Sequence, residues 1–146
     1  MNLQSVIANE EKTFVEPRVK WMVVDDTETV LKMTAEMLAM LTEAEICCFQ
    51  SAKKALRVFQ ADPSAFELVA TDFDMPEMNG AELCHQLRAI APKLKIILTT
   101  GSVNISKTTA FYLHFNSFLA KPFTMAAVSN ALGTLIPATK LCHVNG

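Results

Sequence analysis

Trp21-Met22-Val23-Val24-Asp25-Asp26 is the stretch on which the fold turns. Four consecutive apolar residues without polar alternation are the pattern of a strand covered on both faces, and this run stops at a pair of carboxylates. A helical stripe follows, with Val30, Met33, Met37, Leu38 and Leu41 spaced to share one face. Residues 46–49 read as a second strand. Ser51 is placed to cap a helix carrying Ala52, Ala55, Leu56 and Phe59, and Asp62-Pro63-Ser64 breaks the chain before a third strand over 66–71.

The same alternation continues to the end of the chain. Met75-Pro76-Glu77-Met78-Asn79-Gly80 reads as a loop, and a helix with Leu83, Leu87 and Ile90 ends before Pro92. Residues 94–100 form a β-branched fourth strand closed by Gly101-Ser102. A helix is expected over 105–113 and a short strand over 117–120. Thr124 then caps a last helix with Met125, Val128, Leu132, Leu135 and Ile136. Five βα repeats make an α/β protein built on a parallel sheet. Residues 1–18 read as an N-terminal tail or linker, 19–137 as the domain, and 138–146 as a C-terminal tail.

Composition narrows the function classes. The 146 residues are 51% hydrophobic and 19% charged, too apolar for a disordered chain. A domain near this length buries roughly 68–70% of its unfolded surface and needs neither disulfide nor metal to fold. Lys and Arg number 13 against 15 Asp and Glu, a net charge of −2, which argues against a nucleic-acid surface or a polybasic membrane anchor. No apolar run approaches the ~18 residues of a membrane span, and no basic leader precedes an apolar stretch at the start, so the sequence reads as soluble and cytoplasmic. Cys47, Cys48, Cys84 and Cys142 contain no Cys-x-x-Cys pair, and His85, His114 and His143 lack zinc-type spacing. Free thiols acting as small hydrophobes are the simpler reading.

The chemistry collects at strand ends. Strand 1 ends in Asp25-Asp26, strand 3 in Asp72 with Asp74 two residues on, strand 4 in Thr99-Thr100, and strand 5 leads into Lys121-Pro122. In an open parallel sheet the carboxyl ends share one edge, where ligands bind. Asp25, Asp26, Asp72 and Asp74 gathered there would raise each other's pKa unless a cation intervened, and a hard divalent ion such as Mg²⁺ suits an all-oxygen set. Lys121 adds a positive charge that could pair with Asp72 or with a phosphoryl oxygen. Thr100 could donate its hydroxyl to that group, and Gly101 leaves it room to enter. The set suits phosphoryl transfer, with one carboxylate as nucleophile.

These residues resemble the response-regulator receiver domains of two-component signalling over residues 19–137. The marks that carry the resemblance are Asp25-Asp26, Asp72-Phe73-Asp74-Met75-Pro76-Glu77-Met78-Asn79-Gly80, Thr100 and Lys121-Pro122-Phe123. It implies a doubly wound, flavodoxin-like (βα)5 sandwich of three layers with strand order 2-1-3-4-5. It further implies Asp72 as phosphoacceptor, Asp26 as a direct Mg²⁺ ligand, Asp25 as a ligand through water and the backbone carbonyl of Asp74 as another. Lys121 would contact the phosphoryl group, Thr100 would move toward it, and Phe118 would turn inward. The face made by the helix after strand 4, strand 5 and the last helix would change for a downstream target, with a phosphorylation-dependent dimer as one outcome. A histidine kinase or histidine phosphotransfer protein is the implied donor, and the Lys121-Pro122 peptide is expected to be cis.

Some positions depart from the family pattern. His114-Phe115 stand where Gly-Ala is usual, Phe118 lacks a Tyr hydroxyl, and Asp74 adds a carboxylate expected to alter the lifetime of the phosphorylated form. Each motif taken alone has an ordinary explanation: a helix cap, a turn, strand threonines, a surface lysine, a core aromatic. A haloacid-dehalogenase-type phosphatase is the rival enzyme, through Asp72-Phe73-Asp74, but in that family the Asp-x-Asp follows the first strand. A pure interaction domain is the second rival, disfavoured because every chemical position holds a competent residue. The resemblance fits a single-domain regulator or the receiver part of a hybrid kinase.

Overall fold

The computed structural model describes residues 18–101 and 115–142. The expected helix over 105–113, most of the N-terminal tail, and His114 and His143 lie outside those residues. The described elements are β1 (Lys20–Val24), α1 (Glu28–Ala39), β2 (Glu45–Phe49), α2 (Ala52–Ala61), β3 (Phe66–Asp72), α3 (Gly80–Ile90), β4 (Lys95–Thr100), β5 (Ser117–Ala120) and α4 (Met125–Leu135). One-turn 3-10 segments at Pro63–Ala65 and Ala138–Lys140 complete the set. The five strands are parallel in the order β2-β1-β3-β4-β5.

The central strands are apolar throughout because each successive side chain enters a different core. Met22, Val24, Val69, Ile96 and Leu98 face one way and pack with Phe59 of α2 and Leu83 and Leu87 of α3. Trp21, Val23, Leu68, Ala70 and Ile97 face the other way, against Leu31 and Leu38 of α1 and Val128 and Leu132 of α4. Helices therefore cover both faces, and the sheet's carboxyl edge is left for the loops.

Helix ends follow local chemistry. Ser51, Asn79 and Thr124 accept from the backbone N–H of Lys54, Glu82 and Ala127, capping α2, α3 and α4. The phase of α1 differs from the expected stripe. Its buried face is Leu31, Thr34 and Leu38, continued by Leu41, whereas Met33 is 44% exposed and Met37 and Val30 are half-buried. A polar Thr34 on the inward face masked the true stripe, and the exposed Met33 imitated part of one. Ile90, expected to point inward, is exposed at the last residue of α3.

The stretch after Pro137 does not leave the body at once. Leu141 forms an antiparallel bridge with Thr42, and the N–H of Cys142 donates to Leu41 at 2.8 Å. Lys140 lies 3.4 Å from Glu67, whose other carboxylate oxygen accepts the indole N–H of the fully buried Trp21 at 3.0 Å.

Gly80 opens α3 where the backbone closes on itself. A Cβ there would stand 2.3 Å from the carbonyl oxygen of Asp72 and 2.9 Å from both Leu98 Cδ1 and Phe73 Cα. Only hydrogen fits between the start of α3 and the end of β3. Gly101 differs: among the described residues, its own chain neighbours aside, no atom lies within 4 Å of where a Cβ would stand. Gly80→Ala is therefore expected to destabilise the protein by about 1–3 kcal/mol, with Gly101→Ala within about 0.5 kcal/mol of wild type. Urea unfolding of the pair checks this, and equal midpoints for both variants would contradict the packing described.

Candidate functional site

Asp25 directly follows β1, Asp72 ends β3, Thr100 ends β4 and Lys121 directly follows β5. The ladders pair Val24 with Thr71, Asp72 with Thr99 and Thr100 with Ala120, so four strand ends come to one level along the carboxyl edge. Residues 96 positions apart then meet: Lys121 Nζ lies 2.8 Å from Asp25 Oδ2 and 3.1 Å from Asp72 Oδ1. The carbonyl of Thr100 holds the N–H of Lys121 at 2.8 Å, which aims the base of this side chain.

Each carboxylate has its own setting. Asp25 is buried, takes the N–H of Thr27 on Oδ1 at 2.9 Å, and its own N–H donates to Phe49. Asp72 is buried too, while Asp26 is exposed. One carboxylate oxygen from each of Asp25, Asp26 and Asp72 lies within 4.8 Å of the other two. The sequence expectation of a fourth carboxylate needs correction, because the side chain of Asp74 is exposed in the loop and is not part of this cluster. Three hard oxygen donors in a half-open cup suit a hard divalent cation.

The electrostatics follow from burial and neighbours. Burial pushes the Asp72 carboxyl above its ordinary value; the hydrogen bond and charge of Lys121 pull it down, and Asp25 and Asp26 push it up again. For Lys121, burial works to lower the ammonium, but its bonds to Asp25 and Asp72 and their charges outweigh that and hold it above its usual value. Stability from Lys121 is thus fully present below the ordinary lysine pKa and is lost as pH rises through the higher folded one. Asp72 has the same sign over a lower pH range, since folding disfavours its ionised form: the native state gains as pH falls through the raised value and loses as pH rises through it.

Thr100 is buried at the β4 end. Phe118 is half-buried and packs against the core on the α2 and α3 side. The Lys121-Pro122 peptide is cis, as expected. The sequence reading missed the closer of the two Lys121 contacts, the one to Asp25. Strand-end position brings those residues to one edge, but which carboxylate a flexible lysine reaches depends on side-chain geometry.

A parallel sheet of this order with an acidic, lysine-bridged carboxyl edge is the architecture of a signalling receiver module. A family model for the response regulator receiver domain matches residues 21–133, and the chain belongs to that family. It is 28% identical over 122 residues to the chemotaxis protein CheY1 of Helicobacter pylori, covering 81% of this chain and 97% of that one. To the transcription factor SKN7 of Chaetomium thermophilum it is 27% identical over 117 residues, 80% of this chain but 15% of that protein. A crystal structure of a response regulator receiver domain protein from Clostridium thermocellum superposes with a TM-score of 0.73 at 26% identity, covering 84% and 97% of the two chains. The phosphatase reading gains no support from these relatives. Among the described residues no helix is long and apolar enough to cross a membrane.

In EDTA at neutral pH, Asp72→Asn is expected to raise the melting temperature by roughly 2–4 °C, because it removes a charge the fold disfavours. Lys121→Met should lower it, since Asp25 and Asp72 then face each other without a cation. Differential scanning calorimetry of both variants decides, and a destabilised Asp72→Asn would contradict the charge balance given above.

Proposed function

We propose that Asp72 is the phosphoacceptor of this receiver domain and takes a phosphoryl group from a phosphohistidine on a histidine kinase or phosphotransfer protein. An Asp72 oxygen bonds to phosphorus as the donor's P–N bond breaks, and the imidazole leaves. The observation that carries the reading is the Asp25–Asp26–Asp72 cluster with Lys121 held against two of its members. Burial keeps water from competing at Asp72, and Lys121 holds its carboxylate oxygen in place.

Asp26 is the direct Mg²⁺ ligand in this reading, Asp25 a ligand through water, and Asp72 and the backbone carbonyl of Asp74 complete the protein's share. The bound ion supplies positive charge against the phosphoryl oxygens. Lys121 moves from the carboxylates to a phosphoryl oxygen, and the hydroxyl of Thr100 donates to another. Phe118 then settles further inward, and the β5 and α4 face changes for a downstream protein or a second copy of the chain. This is signalling chemistry with one turnover per phosphoryl group received. The two relatives illustrate the contexts open to such a domain, nearly the whole of a chemotaxis protein or a small part of a longer one.

Incubation with acetyl phosphate and Mg²⁺ should add one phosphoryl group to the wild type by intact mass, and none to Asp72→Asn or to wild type in excess EDTA. Uptake by Asp72→Asn would remove Asp72 from the role. Decay of the phosphorylated form should differ between wild type and Asp74→Asn, because a carboxylate two residues from Asp72 acts on the approach of water by repulsion or by orienting it; identical decay curves would show Asp74 to be a bystander.

A further inference from the structure

Among the described residues β5 is the shortest strand and lies at the sheet edge, paired with β4 over Ile97–Thr100 against Ser117–Ala120. It nevertheless carries Phe118 and delivers Lys121. A slip of one residue would turn every side chain of the strand to the other face and move Lys121 by about 3.3 Å. Something must fix its register.

Asn116, the residue before β5, does so from its side chain. Its backbone N–H donates to the carbonyl of Ile96 at 2.8 Å, and its side-chain Oδ1 accepts the N–H of the same Ile96 at 2.8 Å. Both polar groups of one β4 residue are captured by one residue, a pairing the regular ladder cannot form at its end. The same Oδ1 accepts Arg88 Nη2 at 2.9 Å. Arg88 leaves the last turn of α3, and its Nη1 donates to the carbonyl of Pro92 at 3.0 Å and to that of Leu94. One guanidinium therefore ties the end of α3, the turn into β4 and the head of β5.

We propose that Arg88 and Asn116 form a register lock for β5 and act as positioning residues for the phosphoryl chemistry, by fixing where Lys121 stands. The proposal rests on the role given above to Asp72 and Lys121. Among the described residues the Asn116 side chain bonds through its acceptor oxygen, so a carboxylate in its place keeps both accepted bonds and adds a charge for Arg88.

The test is phosphorylation by acetyl phosphate in Mg²⁺ together with amide hydrogen exchange of Leu119 and Lys121, on wild type, Asn116→Ala, Asn116→Asp and Arg88→Met. Asn116→Ala and Arg88→Met should lose roughly 10- to 100-fold in rate at saturating donor, with half-saturating donor and Mg²⁺ within about twofold of wild type. Asn116→Asp should keep both the rate and the β5 protection. A general loss of folding would instead expose amides in every strand, which the exchange map separates from opening of β5 alone. A wild-type rate in Asn116→Ala, or an Asn116→Asp as slow as Asn116→Ala, would overturn the lock. No uptake by wild type would fail the phosphoacceptor reading, and unchanged β5 exchange in Asn116→Ala would fail the lock independently.

Discussion

One ammonium group holds the carboxyl edge together. Lys121 bridges Asp25 and Asp72, and so joins the ends of β1, β3 and β5, which belong to distant parts of the chain. Buried like charges repel, and a bridge of this kind is what lets two of them lie side by side. Three carboxylates against one lysine leave net negative charge at the cup, which favours a divalent cation.

The sheet makes that convergence inevitable. Its parallel strands deliver every strand end to one edge, and the two cores beneath fix the strands so that the edge residues arrive in register. The same packing limits freedom nearby: with hydrogen alone separating Gly80 from the carbonyl of Asp72, a backbone displacement at Asp72 must also move the start of α3.

The strands and the site residues were legible because their signals are local. Trp21 to Val24 declares a strand buried on both faces, and Asp25, Asp72, Thr100 and Lys121 each follow such a run, so the fold rule alone brings them together. The resemblance gave the strand order, which periodicity does not contain. The inward face of α1 was misread because Thr34 is polar and Met33 is not, although burial is decided by the angle around the helix. The Asp25–Lys121 bond and the Arg88–Asn116 contact were illegible for another reason: long side chains choose partners by reach across residues far apart in sequence.

Trp21 is the protein's single tryptophan, and its place bears on how the molecule can be watched. It lies four residues before Asp25, about 13 Å down the strand from the acidic edge, with its indole N–H on a Glu67 that also holds Lys140. Intrinsic emission thus reports the far edge and the turn after α4. A change at the carboxyl edge that leaves the fluorescence unaltered has been invisible to this chromophore, and an observer of the site needs a dye placed beside it.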